Sequence, residues 1–174
     1  MTDQETIDLR FMERALELAV QAGEAGEVPI GALIAQGDQI LSESRNRMEE
    51  LQDASAHAEI LAIRQAGAKL DSWRLDGCTL YASLEPCPMC AGAVLNSRIA
   101  RVVYAARDRR LGACHTHWAI LSQNPIGREI EVLDGILGDQ SARLLQSFFK
   151  DLREGRRERS QVRRGIDIGR RSRD

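Results

Sequence analysis

Phe11, Ala15, Leu18, Ala19 and Ala22 recur at three- and four-residue intervals, which places them on one helical face, and Gly23 and Gly26 then end the helix. The period changes at residue 28. The apolar run 28–35 reads as a buried strand, Gly37-Asp38 as a turn, and 39–44 as the returning hairpin partner. Ile60, Ile63 and Ala66 restore helical spacing over 56–66, where Asp53 or Ser55 is placed to cap the start. Residues 78–84 form the next strand, and Pro88 opens a helix running to about Ser97. A strand over 101–106, a short one over 129–133 and an amphipathic helix over 139–157, carrying Leu144, Leu145, Phe148 and Leu152, complete the pattern. Helices alternating with single strands after one hairpin predict an α/β fold: a three-layer α/β/α sandwich around a five-stranded mixed sheet.

A chain of 174 residues with 43% hydrophobic content suits one domain with its own core. We assign that domain to 1–157 and read 158–174 as an Arg-rich, disordered C-terminal tail. The net charge of −2 hides an asymmetry. From Lys150 onward there are ten basic and five acidic side chains, so the rest of the chain is acidic and the tail is the part suited to a polyanion. No apolar stretch approaches the roughly 18 residues that span a bilayer, and the opening Met-Thr-Asp-Gln-Glu-Thr lacks the basic and apolar regions of a secretory leader. A soluble cytoplasmic protein with no membrane association is expected.

Two short segments carry candidate chemistry, each at the start of a predicted helix: Ala56-His57-Ala58-Glu59 and Pro86-Cys87-Pro88-Met89-Cys90. A catalytic zinc takes three protein ligands and leaves a position for water, whereas a structural zinc closes all four. His57, Cys87 and Cys90 make three. Cys87 at a helix cap and Cys90 in the first turn face the amide-rich end, where the dipole favours thiolate. His57 and Glu59 diverge by about 200° around a helix, so they address one point only if it lies beyond the N-terminus, as a first-turn position allows. Zinc makes water acidic near neutral pH, and a carboxylate that does not ligate the metal can then pass protons to a ring nitrogen and a leaving amine. Glu59 is placed for that role. The competing arrangement is a closed structural site of Cys87, Cys90, Cys114 and His117, which leaves Glu59 idle. Cys78, inside an apolar strand, reads as a small buried hydrophobe.

His-x-Glu followed by Pro-Cys-x-x-Cys is a zinc-deaminase signature. Beyond it, Glu27-Val28-Pro29-Ile30-Gly31-Ala32, Asn46-Arg47, Leu84-Glu85-Pro86, Ser97-Arg98-Ile99, Ala106-Arg107-Asp108, Gly135-Ile136-Leu137 and Phe148-Phe149 resemble the bacterial tRNA-specific adenosine deaminases from about Phe11 to Arg153. The resemblance implies a cytidine-deaminase-like fold, one zinc per subunit, a homodimer, and a tRNA anticodon stem-loop as partner, its wobble adenosine becoming inosine. It also implies that Asn46 contacts the flipped nucleoside, that Val28 lines the base pocket and that the backbone at Leu84 and Glu85 reads the base edge. Asp108 would touch a neighbouring ribose 2′-hydroxyl, and Phe148 and Phe149 would help seat the anticodon loop. The chain departs from the family after Asp108, where Leu111, Cys114, His115, His117 and Trp118 intervene. Two rivals stay open: a deaminase of a free guanine- or cytosine-type base or nucleoside, and a non-catalytic zinc-containing RNA-binding module.

Overall fold

The computed structural model describes residues 2–171, with side-chain surroundings described through residue 155. Five strands, β1 (Gly31–Gln36), β2 (Gln39–Arg45), β3 (Cys78–Leu84), β4 (Arg101–Ala106) and β5 (Glu131–Asp134), form one sheet in the order β2-β1-β3-β4-β5. The hairpin pairs antiparallel and β1 meets β3 antiparallel, while β3, β4 and β5 run parallel. The expected mixed five-stranded sheet is therefore present. The helices are α1 (Asp3–Glu24), α2 (Met48–Leu51), α3 (Ala58–Lys69), α4 (Pro88–Ser97) and α5 (Gly138–Arg171).

Strand periodicity of two divides the core. Ala32, Ile34, Leu80, Ala82, Val102 and Tyr104 face the layer holding α3 and α4. Their alternates Leu33, Ala35, Tyr81, Val103 and Ala105 face Phe11, Met12 and Ala15 of α1. On that second face a glycine is required at position 31, because a Cβ there would run into the Ala15 carbonyl and lie 2.6 Å from the Ala19 nitrogen. α1 thus packs directly on the β1 backbone.

Element boundaries moved where capping decided them. Thr2 and Glu5 form a reciprocal capping box, so α1 starts well before its apolar stripe. The N-cap of α3 is His57, not Asp53 or Ser55. Asp53 instead accepts from the Ser55 amide and hydroxyl at 2.8 and 2.7 Å, closing a turn ahead of the helix. The short α2 lacks an apolar stripe and was not foreseen. β5 begins at Glu131 rather than 129, and α5 extends to Arg171 rather than stopping near 157. The disorder expected over 158–174 concerns residues whose surroundings lie outside the described ones.

The topology fixes where a site can form. β2, β3, β4 and β5 all point the same way, so the segments leaving their carboxyl ends gather at one edge of the sheet. β1 runs opposite and brings its own beginning, near Ile30, to that edge. Open α/β sheets bind ligands in this position.

Candidate active site

Asn46 follows β2, Leu84 ends β3, Ala106 ends β4 with Arg107 to Leu111 after it, and Asp134 ends β5. Together with Val28, Ile30, His57 and residues at the start of α5, they line one cleft of about 740 Å³. That lies within the roughly 300–1,000 Å³ typical of small-ligand sites. Of the residues singled out in the sequence, Val28, Asn46, His57, Leu84, Asp108 and Phe149 are on its lining. Phe148 and the Glu85 side chain are not. Phe148 sits edge-on to Phe149, with ring centroids 5.5 Å apart, so one ring of the pair faces the cleft while the other supports it. A separate groove between α3 and α4, bordered by Ile63, Gly67, Trp73 and Ala93, contains none of the candidate chemical groups.

At the inner end, two helix N-termini converge. His57 is the N-cap of α3 and Cys87 the N-cap of α4, and neither side chain makes a capping hydrogen bond. Both are turned toward each other instead. His57 Nδ1 lies 3.7 Å from Cys87 Sγ and 3.5 Å from Cys90 Sγ, and the sulfurs are 3.6 Å apart. Among the described residues these three alone form a cluster of candidate metal ligands. Cys114 and His117 do not join them. The Cys114 side chain is in the core, and His117 Nε2 pairs with the Arg109 carbonyl at 2.8 Å. The four-ligand structural arrangement is therefore absent from the described residues. Cys78 is buried as expected.

The electrostatics of this cluster suit a cation. The hydrogen bond shared with Cys90, reinforced by the one shared with His57 against the opposing effect of burial, pulls the Cys87 thiol down to about 4. Cys90 is pushed strongly upward by its hydrogen bond to Cys87 and by burial, so the pair gives up one proton readily and holds the second. His57 is raised chiefly by its bond to Cys87. A divalent ion bound here would expel the remaining protons, as metal binding at thiol and imidazole sites does.

Glu59 stands beside Cys90 with 3% of its surface exposed. Burial raises its pKa, and its Oε2 is a fully buried polar atom with no hydrogen-bond partner. Such atoms are rare in folded proteins, because each costs roughly 1–3 kcal/mol in desolvation. An orphan carboxylate oxygen next to three soft donors marks a position reserved for something the chain itself does not supply.

Three further features were not read from the sequence. Glu27, 1% exposed, accepts from Asn46 Nδ2 at 3.2 Å and from the Glu50 amide at 2.8 Å, fixing Asn46 and the start of α2 with one carboxylate. A charged residue at the edge of an apolar strand was the available signal. Tyr104 hydroxyl pairs with His115 Nδ1 at 2.6 Å. The Glu85 carboxylate turns away from the cleft into the turn segment after β4, where burial would raise its pKa but bonds from Thr116, His115 and Asp108 lower it overall.

A pair of helix N-termini at the carboxyl edge of a mixed sheet, holding His, Cys, Cys and a free carboxylate, defines a deaminase of cytidine-deaminase-like fold. Residues 7–153 match the family model of MafB19-like deaminases. The tRNA-specific adenosine deaminase of Bacillus subtilis is 42% identical over 149 residues, covering 86% of this chain and 92% of its own. A solved tRNA:A34 deaminase superposes with a TM-score of 0.75 at 43% identity, covering 78% of this chain and 99% of that one. The guanine deaminase of Nitrosomonas europaea superposes at 0.70 with 30% identity, covering 80% of this chain and 83% of that one. The chain belongs to the tRNA-specific adenosine deaminase family. No helix among the described residues is long and apolar enough to cross a membrane.

Proposed function

We propose that this enzyme is a zinc-dependent hydrolytic deaminase that converts the wobble adenosine of a tRNA anticodon loop to inosine, releasing ammonia. The observation that carries the chemistry is the unpartnered Glu59 Oε2 beside the triangle of His57, Cys87 and Cys90. Zinc fits the donor set. Tetrahedral bonds of about 2.3 Å to sulfur and 2.0–2.1 Å to nitrogen put ligand atoms about 3.6–3.8 Å apart, and the triangle has edges of 3.5–3.7 Å. When bound, zinc makes water acidic enough to supply a nucleophile for the electron-poor C6 of adenine near neutral pH.

The rest of the reaction belongs to the chain. Glu59 takes one proton from the water and delivers it to the ring nitrogen beside C6 as the oxygen bonds to that carbon; it then takes the second proton from that oxygen and hands it to the amine, so the C6–N bond breaks, ammonia leaves and a carbonyl remains. Burial favours its neutral form, which matches a group that must hold a proton between two transfers. Asn46 gives one amide hydrogen to Glu27, which holds the side chain in place, and keeps its carbonyl oxygen for the nucleoside. Val28 and Leu84 supply apolar walls, Phe149 and Leu145 a surface for a base or ribose, and Asp108 a partner for a 2′-hydroxyl. Exposed Arg109 and Arg110 at the rim meet phosphates, so binding weakens as salt rises. The same family reading gives a homodimer with one zinc per subunit.

The guanine deaminase neighbour favours a second reading, in which a free purine occupies the cleft. Both are tested by incubating zinc-loaded protein with an anticodon stem-loop carrying wobble adenosine, and separately with guanine, cytosine and adenosine, followed by nucleoside analysis. Inosine from the stem-loop alone is expected. Turnover of a free base with an unchanged stem-loop would transfer the assignment to the second reading.

A further inference from the structure

The cleft wall formed by Arg107 to Leu111 belongs to a segment with no helix or strand between β4 and β5. A short irregular wall needs something to hold it, and one side chain does so. Glu85, 1% exposed, lies two residues before Cys87. Its Oε1 accepts the amides of Cys114, His115 and Thr116 at 3.0, 2.7 and 2.9 Å. Its Oε2 accepts the Asp108 amide at 3.0 Å and the Thr116 hydroxyl. The segment folds around this carboxylate so closely that residue 112 has no room for a side chain. A Cβ on Gly112 would collide with Glu85 Oε2 and come within 2.5 Å of Glu85 Cδ and 2.6 Å of the Asp108 carbonyl. Backbone bonds from Ala113 to Pro86 at 2.9 Å and from Glu85 to Ala106 at 2.8 Å lock the same two segments together.

We infer that Glu85 is a positioning residue: through its bonds to Asp108 and the 114–116 turn, it sets where Asp108 stands over the cleft and thereby how strongly the enzyme prefers ribose to deoxyribose beside the reacting base. The inference rests on the RNA reading proposed above. Glu85 is charged, buried and spent entirely on backbone amides and one hydroxyl, so it has no donor or acceptor left for substrate. Its effect must pass through the wall. Asp108 is the point of transmission, because its amide is held by Glu85 while its own Oδ1 takes the Arg110 amide at 2.8 Å, which leaves Oδ2 for a ligand.

Glu85→Gln separates positioning from general support. The amide keeps one acceptor for the 114–116 turn but turns an NH₂ group toward the Asp108 amide and the Thr116 hydroxyl, so donor faces donor at the Asp108 end. The full-length, zinc-loaded variant is compared with wild type on the anticodon stem-loop and on the same stem-loop with 2′-deoxy sugars flanking the target. Trypsin cleavage after Arg109 and Arg110 and zinc per chain are measured alongside. For the ribose substrate we expect KM to rise about tenfold with kcat within about threefold. The deoxy substrate should change little, so the ribose preference collapses, and trypsin should cut the wall faster at unchanged zinc content. Gly112→Ala leaves every polar group in place and should reproduce the effect by displacing the wall; it also serves should Glu85→Gln not fold. An unchanged ribose preference in both variants overturns the inference, as does a loss of kcat that tracks a loss of zinc. If wild type leaves the stem-loop untouched, the RNA reading fails instead, and unaltered trypsin sensitivity in the variants would then overturn the anchoring role on its own.

Discussion

Two buried carboxylates at opposite ends of the sheet are equally hidden from water and are treated in opposite ways. Asp8, 2% exposed, lies near the starting end of β4 and accepts both terminal nitrogens of Arg101 at 2.7 and 2.8 Å, the Tyr81 hydroxyl at 2.6 Å and Gln4 at 2.9 Å. Arg101 also reaches Glu131 at 2.8 Å, so one cluster ties α1 to three strands. Burial alone would raise the Asp8 pKa, but the bonds from Arg101, Tyr81 and Gln4 outweigh it and hold Asp8 below the usual carboxylate range. Glu59, 3% exposed at the carboxyl edge, keeps an unpaired oxygen, and burial raises its pKa. Burial does not determine protonation; the supply of donors does. The end that only has to hold together satisfies its charge, and the end that has to react leaves its charge open.

The widest separation between the two ends comes from exchanging each carboxylate for its amide. Glu59→Gln is expected to lower inosine formation by about 10²- to 10⁴-fold with metal content unchanged, because proton transfer is lost while the three donors remain. In metal-stripped protein the same change should leave the melting temperature nearly unchanged, since one unpaired buried polar atom replaces another of the same shape. Asp8→Asn should do the reverse. Kinetics of the folded enzyme stay as in wild type while urea denaturation records a loss of about 3–5 kcal/mol, as when one partner of a buried ion pair is removed.

Acid sharpens the contrast. The folded Asp8 pKa is depressed below the ordinary aspartate value of 3.8, so its contribution is complete above that value and fades as pH falls through the lower folded pKa. The stability gap between wild type and Asp8→Asn should therefore be constant from neutral pH down to roughly 5, then narrow as the medium becomes more acidic. A gap that widened in acid would contradict the assignment. The smallest effect is expected at the half-exposed pairs of Arg14 with Glu17 and Glu43, where Arg14→Met should change the unfolding free energy from urea denaturation by under about 1 kcal/mol.

The amino end and the active site were not equally legible in the sequence. His57, Glu59, Cys87 and Cys90 could be read because the candidate metal site and its proposed proton carrier fall at two helix starts with short spacings, and that pattern is local. β3, α4 and β4 were placed closely because Pro88 marks a helix start and the strands are continuous apolar runs. The Asp8 cluster joins residues 73 and 93 positions apart, and no spacing rule links Asp8 to Tyr81 or Arg101. Glu27 with Asn46 and Glu85 with the 108–116 segment were missed for the same reason. In each, a carboxylate serves backbone amides that carry no side-chain signal. Asp53 and Ser55 were misread as caps because a cap is chosen by geometry, and the chain puts His57 at that position to free its ring for the cysteines.

His57, Cys87 and Cys90 are proposed to hold the metal, with a fourth position open beside Glu59. The X-ray absorption spectrum at the zinc edge of the loaded enzyme tests this most directly, read on wild type and on Glu59→Gln. The account predicts two sulfurs, one imidazole nitrogen and one light non-protein ligand in both proteins. A shell of three sulfurs, or a second imidazole closing the site, would contradict it.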